Sequence, residues 1–289
     1  MVNDLEKPTI NQAYVMTSKV ALLGIGSDHH SSFLKGAAQA PALIRESMFC
    51  PSSNSASETA VDVLSADLLT DMGDMVFSEH EQPIAQIEHE ITKLAKSGSI
   101  PLALGGDHAI TYPIIKALSG QFSSLTILHF DAHPDLYDEF EGDRYSHACP
   151  FARIMELGCV NRLLQFGIRT ANAHQKAQIA KFGVESHDMM FLQEHEINLN
   201  IRGPVYISID MDCLDPAYAP GVSHREPGGM SVREVLSVIQ QLRHQECQII
   251  GADVVEYNPS RDIDNMTSVV AAKFVKELLG LIAITNEKR

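Results

Sequence analysis

The run Leu125-Thr126-Ile127-Leu128-His129-Phe130 is apolar and β-branched and does not alternate between polar and apolar positions. A strand with one face in water alternates; a strand that does not is covered on both faces. Further runs of this kind are Lys19 to Gly24, Val61 to Leu69, Pro101 to Leu104, Arg162 to Ile168, Val205 to Ile209 and Gln248 to Val255. Between them lie stretches with helical spacing: Pro41 to Met48, Pro83 to Lys96, Tyr112 to Leu118, Cys149 to Leu157, Ala171 to Lys181, Val232 to Leu242 and Met266 to Ile284. In the second of these, Ile84, Ile87, Ile91 and Leu94 form one apolar stripe. Doubly buried strands that alternate with helices predict an α/β fold, a parallel sheet with helices on both faces. A loop is expected from Cys50 to Thr59, a turn at Gly73, and no regular element between Lys181 and Arg202. With no repeat or linker, residues 1–289 are expected to form a single domain.

The chemistry is concentrated where these runs end. Asp131-Ala132-His133-Pro134-Asp135 follows Phe130, and Asp210-Met211-Asp212 follows Ile209. In strand geometry, positions i, i+2 and i+4 share a side, so each set is expected to converge. His108 ends Gly105-Gly106-Asp107-His108, after Leu104. Ligands of open α/β sheets bind at the strands' carboxyl ends. His108, Asp131, His133, Asp135, Asp210 and Asp212 together offer two imidazoles and four carboxylates. Burying four uncompensated carboxylates is very costly, and two divalent cations would neutralise them. The mixed nitrogen and oxygen set suits Mn²⁺, whereas all-oxygen sites favour Mg²⁺ or Ca²⁺ and thiolates favour Zn²⁺. Two such ions, about 3.5–4 Å apart, activate water for hydrolysis at neutral pH. Adjacent His29 and His30 lie in a loop after the first strand and are expected at most on a pocket rim.

Hydrolysis also needs a proton carrier and a group to hold the substrate. His147, in Tyr145-Ser146-His147-Ala148, has an intrinsic pKa suited to the first task, although a histidine there could equally be a helix-terminal surface residue. Glu256, after the strand ending at Val255, could pair with a planar guanidinium through two charge-assisted hydrogen bonds, or serve as a cap.

The formal charge of −15 argues against nucleic acid and anionic membranes as partners and is compatible with cationic ligands. No apolar run reaches the roughly 18 residues of a membrane span. Five cysteines, with no Cys-x-x-Cys pair, read as reduced structural thiols. Met1 to Pro8 carries no recognisable secretory signal, so a cytoplasmic location is the expectation.

Three ordered segments, Gly105 to His108, Asp131 to Asp135 and Ser208 to Pro216, resemble the signatures of the ureohydrolases, the arginases, agmatinases and relatives. His30 to Gly36, Asp138 to Gly142, Tyr145 to Ala148, Phe151 to Glu156 and Gly221 to Gly229 are most similar to plant-type arginases. The resemblance spans Val20 to Ile284. It implies a three-layer α/β/α fold with a mostly parallel eight-stranded sheet, a binuclear manganese centre and a homotrimer or homohexamer. By the resemblance, His108, Asp131, Asp135 and Asp210 bind one Mn²⁺ ion. His133, Asp131, Asp210 and Asp212 bind the other, and the hydroxide shared between them attacks the guanidinium carbon. His147 aligns with the proton-shuttle histidine and Glu256 with the carboxylate that orients the guanidinium. Asp135 counts with these two among the catalytic groups.

The implied activity is hydrolysis of L-arginine to ornithine and urea, with agmatine or another guanidino compound as the alternative substrate. A silent metal-binding relative would have broken this residue set, and a zinc deacetylase would keep one metal and fewer carboxylates. The acidic loop Asp138 to Arg144 favours a cationic substrate tail. Arg144 or Arg225 could instead meet a carboxylate. The acidic residue that animal arginases carry after Gly167-Ile168-Arg169 is missing, as is the usual organellar presequence of plant arginases.

Overall fold

The computed structural model describes residues 19–78, 80, 82–122 and 124–287. Eight strands form one sheet: β1 (Val20–Ile25), β2 (Leu69–Asp74), β3 (Ile100–Gly105), β4 (Leu125–Phe130), β5 (Val160–Phe166), β6 (Glu185–His187), β7 (Arg202–Asp210) and β8 (Glu246–Val255). Their order is β2-β1-β3-β8-β7-β4-β5-β6, and every pairing is parallel. β1, β3 and β4 are buried along their whole lengths, as their unalternating sequences require.

Among the described residues, eight α-helices cover the sheet: α1 (Ala40–Met48), α2 (Pro83–Lys96), α3 (Thr111–Leu118), α4 (Pro150–Glu156), α5 (Ala173–Phe182), α6 (Met189–Glu194), α7 (Val232–Ile239) and α8 (Met266–Glu287). One core packs α1, α7 and α8 against the sheet, through residues such as Ile44, Leu236 and Phe274. The second packs α2, α3 and α4, through Ile87, Ile114 and Phe151. The result is the expected three-layer α/β/α arrangement. Local chemistry sets several helix ends. Ser231 and Glu234 form a capping box at the start of α7. Asn172 caps α5, which ends at Gly183 in the left-handed conformation.

Three expectations are corrected. Residues 61–68 form no strand; Val63 and Leu68 are buried within irregular chain, and the strand is β2 instead. β2 is a sheet edge and largely exposed, so no apolar run marks it, and Gly73, with φ 73°, lies inside it rather than in a turn. The polar stretch before Arg202 holds the edge strand β6 and the short α6, which Asp188 caps. An edge strand and a six-residue helix with no buried side chain leave little apolar periodicity to read.

Candidate metal centre

Four strands that are consecutive in the sheet, β3, β8, β7 and β4, bring the chemistry to their carboxyl ends. His108 follows β3, Glu256 follows β8, Asp210 ends β7 and Asp131 follows β4. The approach of these ends depends on Gly106, where a Cβ would lie 1.8 Å from the Ser27 carbonyl oxygen. Its N–H donates to Ile25 (2.9 Å) and its carbonyl accepts from Glu256 N (2.9 Å), which ties the ends of β1, β3 and β8 together.

The Asp131 to Asp135 triplet converges, but not as a strand. β4 ends at Phe130, and Asp135 adopts φ 51°. The bend at this left-handed residue turns its carboxylate back toward that of Asp131. Asp212 likewise lies in a 3₁₀ turn after β7, which Asp210 caps by accepting from Asp212 N at 2.7 Å. Glu256 has φ 63°. Two of the site's carboxylates therefore sit on strained backbone, a conformation that persists where the surroundings impose it.

Two clusters result. His108 Nδ1 is 3.1 Å from Asp131 Oδ2, 3.1 Å from Asp135 Oδ2 and 3.2 Å from Asp210 Oδ2. His133 Nδ1 is 3.2 Å from Asp131 Oδ1 and 3.1 Å from Asp212 Oδ2. Asp131 belongs to both, one oxygen to each. His108 Nδ1 is buried without a hydrogen bond although three carboxylate oxygens surround it. Crowded acceptors around an orphaned ring nitrogen fit a divalent cation, and imidazole with carboxylates is a donor set that such ions take.

The charges express the same crowding. Burial, with Asp212 and Asp131 beside it, pushes Asp210 well above the usual carboxylate range. Burial and Asp131 push Asp135 up to about 7. Burial would raise Asp131 too, but His108, His129 and His133 hold it well below the ordinary value. Burial would lower His133; Asp212 and Asp131 outweigh it and lift the ring to about 12.

His147 and Glu256 stand beside these clusters and line the same cavity of about 170 Å³. His147 Nδ1 lies 2.8 Å from Glu256 Oε1, which also accepts from His108 N at 2.9 Å. Neither bond uses Oε2. Burial would lower His147, but Glu256, with Asp107 and Asp135 behind it, lifts it to about 9. All eight residues singled out in the sequence are thus brought together.

The acidic side chains of the loop Asp138 to Arg144 do not line the cavity. Asp138 faces Gln178, Arg153 and Lys181, and Asp143 faces His30 Nδ1 at 2.7 Å. Glu139 and Glu141 are exposed. Only Tyr137 and Phe140 from this part of the chain line the cavity. Arg144 pairs with Glu156, while Arg225 donates to the carbonyls of Pro220 and Arg261. Neither arginine lines the cavity, so neither the acidic argument nor the arginine argument about the substrate tail holds.

Three participants went unrecognised in the sequence. His129 Nε2 lies 2.8 Å from Asp131 Oδ2. The signal was a histidine in an otherwise apolar strand. Ser32 meets His147 Nε2 with its N–H (3.2 Å) and its Oγ (2.8 Å). Asp107 accepts from His30 N (2.9 Å) and Ser31 Oγ (3.3 Å), fastening the loop that carries Ser32. The last two contacts span more than 70 residues, and nothing local announces them.

The Arginase family model matches residues 18–280. Arginase 1, mitochondrial, of Arabidopsis thaliana is 46% identical over 283 residues, covering 92% of this chain and 82% of that protein. Agmatinase of Bacillus anthracis is 33% identical over 270 residues, 91% of each chain. The solved arginase from Medicago truncatula superposes with a TM-score of 0.81 at 41% identity, covering 92% of this chain and 87% of that one. The cytoplasmic expectation is overturned here. The Arabidopsis relatives are mitochondrial and chloroplastic/mitochondrial arginases, so the likeness is to organellar enzymes. The expectation rested only on the look of the first residues, and residues 1–18 lie outside the described part of the chain.

Proposed function

The chain belongs to the arginase family, and on that premise we propose that it hydrolyses L-arginine to L-ornithine and urea at a centre of two Mn²⁺ ions. The observation that carries the reading is the sharing of Asp131 between two His/Asp clusters beside the His147–Glu256 pair. It is supported by the 46% identity to a plant arginase, against 33% to an agmatinase. His108, Asp131, Asp135 and Asp210 would hold one ion, and His133, Asp131, Asp210 and Asp212 the other. When bound, such ions supply Lewis acidity and bring water's pKa into the neutral range.

The remaining work falls to side chains of this chain. Glu256 Oε2 accepts from the substrate guanidinium and fixes its plane, while Oε1 stays with His147. His147 moves a proton at Nε2. The neutral ring accepts there from Ser32 N–H, and the protonated ring donates to Ser32 Oγ, so both states have a partner in place. Asp135, besides its place at the first ion, lines the cavity together with His147.

A second reading, hydrolysis of agmatine, is favoured by one observation: among the described residues, no Arg or Lys lines the cavity. Arginine's carboxylate would have to be met by neutral donors such as Ser32 and Thr170. Urea release by the manganese-loaded protein, compared for arginine, agmatine and shorter guanidino acids, tests both. Arginine turning over fastest is the expected result. Faster turnover of agmatine sinks the substrate choice, and no urea from any of them sinks the activity. The family resemblance also leads us to expect a homotrimer or homohexamer, which sedimentation equilibrium measures.

A further inference from the structure

Asp253 is a fully buried carboxylate near the carboxyl end of β8 that no step above uses. It accepts three hydrogen bonds. Ser208 Oγ donates to Oδ1 at 2.6 Å; Tyr206 Oη and Thr111 Oγ1 donate to Oδ2 at 2.6 and 2.9 Å. Ser208 and Asp253 are register partners on the adjacent strands β7 and β8. Gly251 is a register partner of Tyr206, and a Cβ on it would lie 2.9 Å from the tyrosine ring. The missing side chain gives Tyr206 the room to lie along β8 and reach Asp253.

Ser208 Oγ also lies 2.9 Å from His108 Nε2. A serine hydroxyl has one proton. Here the short bond to an ionised carboxylate takes it, so the oxygen can only accept from the ring. His108 must then carry a proton on Nε2, and the neutral ring that a cation requires presents its lone pair at Nδ1, the atom that faces Asp131, Asp135 and Asp210. Were Ser208 to donate to His108 instead, the proton would move to Nδ1 and point into the cluster, where it would block a cation.

We propose that Asp253 is a positioning residue for the metal centre: through Ser208 it fixes the Nε2–H tautomer of His108 and so keeps Nδ1 available to bind a divalent ion. This rests on the metal-centre reading above. Hydrogen bonds of this kind from a ligand histidine's second nitrogen typically change metal affinity by about 10–100-fold when removed. Tyr206 and Thr111 share the other oxygen, and with Ser208 they oppose the burial that raises this carboxyl, in a dry interior where an unpaired charge would be costly. Asp253→Asn puts an N–H into this set. The amide NH₂ can be satisfied only by donating to these hydroxyls, and donation to Ser208 frees the serine proton to turn toward His108 Nε2 and reverse that bond.

The test is Mn²⁺ binding to the full chain after chelator treatment, with free manganese followed by its electron paramagnetic resonance signal, alongside the melting temperature of the metal-free protein. Wild type should bind Mn²⁺ tightly. Asp253→Asn and Ser208→Ala should each bind at least one ion about 10–100-fold more weakly. Tyr206→Phe leaves the Ser208 link intact, so it should lower the melting temperature but keep the wild-type affinity. A merely structural role for Asp253 would lower melting temperatures and leave affinity alone. Wild-type affinity in both Asp253→Asn and Ser208→Ala overturns the proposal, as does equal weakening in Tyr206→Phe. Should Asp253→Asn not fold, the contrast between Ser208→Ala and Tyr206→Phe decides. Failure of wild type to bind manganese would overturn the metal-centre reading itself, a result separable from all of these.

Discussion

Glu256 Oε1 lies 2.8 Å from His147 Nδ1, although the two residues are 109 positions apart in the chain. The bond joins the group expected to hold the guanidinium to the group expected to move the proton. It also sets a pH dependence. Glu256, against burial, raises His147 to about 9, and His147 in turn holds Glu256 below its usual value against the same burial. A raised histidine stabilises the fold fully below its unfolded pKa, about 6.5, and loses that contribution as pH rises through the folded value. A depressed carboxylate stabilises above its unfolded value, about 4.3, and loses it as pH falls. Glu256→Gln in the metal-free protein should therefore be least stable relative to wild type between about pH 4.5 and 6.5, and the gap should close toward pH 9. Melting temperatures across pH 4–10 measure this; a constant gap would show that the pair's charges do not couple.

His147→Ala removes the proton carrier but none of the six groups at the two clusters. Metal content should stay at the wild-type level, measured by atomic emission on desalted protein, while turnover falls about 10²–10⁴-fold, the range general acid–base groups supply. Loss of metal from this variant would mean that His147 had been given the wrong role.

Asp131→Ala acts on both clusters at once, because its two oxygens face different histidines: Oδ2 faces His108 and Oδ1 faces His133. Metal retention should drop for both ions, and nearly all urea release should go with it. By contrast, Asp212 Oδ2 faces His133 and its Oδ1 accepts from Ala132 N, so Asp212→Ala acts on the His133 cluster and not on the His108 cluster. Retention of one ion there, and of neither in Asp131→Ala, is the expected pattern. Two ions retained by Asp131→Ala would remove it from the bridging role.

The legibility of this chain follows burial. Strands such as β3 and β4, covered on both faces, announce themselves as apolar runs, and so the buried strands and most helices could be read to within about three residues at their ends. Edge strands β2 and β6 could not, because exposed edges need no apolar pattern. The ligand-type residues were legible because charged groups directly after buried strands are unusual. Their convergence was expected from strand geometry, yet it is produced by the left-handed turn at Asp135 and the 3₁₀ turn holding Asp212. What stayed hidden was the layer behind them. Asp253 and His129 lie inside apolar strands, and their meaning comes from partners on neighbouring strands that spacing along the chain cannot supply.

His129 offers a last prediction about that layer. Burial pulls its ring down to about 4, so it is neutral near pH 7 and acts as a hydrogen-bond donor rather than a countercharge. Gln165 Nε2 donates to Pro134 O at 2.7 Å and lies 3.0 Å from His129 Nδ1, which therefore accepts. The ring proton is then on Nε2, aimed at Asp131 Oδ2. The ring also stacks on Phe151, with centroids 3.7 Å apart. His129→Phe preserves the stacking and removes both hydrogen bonds. Metal affinity should fall about 10-fold or more, since Asp131 loses the donor that orients it. Stability should fall by about 1–3 kcal/mol, because buried Gln165 loses one of the two acceptors of its amide nitrogen. His129→Ala adds a cavity beside Phe151 and should cost more stability for a similar loss of affinity. Calorimetric unfolding paired with manganese titration separates the two effects. Affinity that follows stability across both variants, rather than the loss of the Nε2 donor, would reduce His129 to a packing residue.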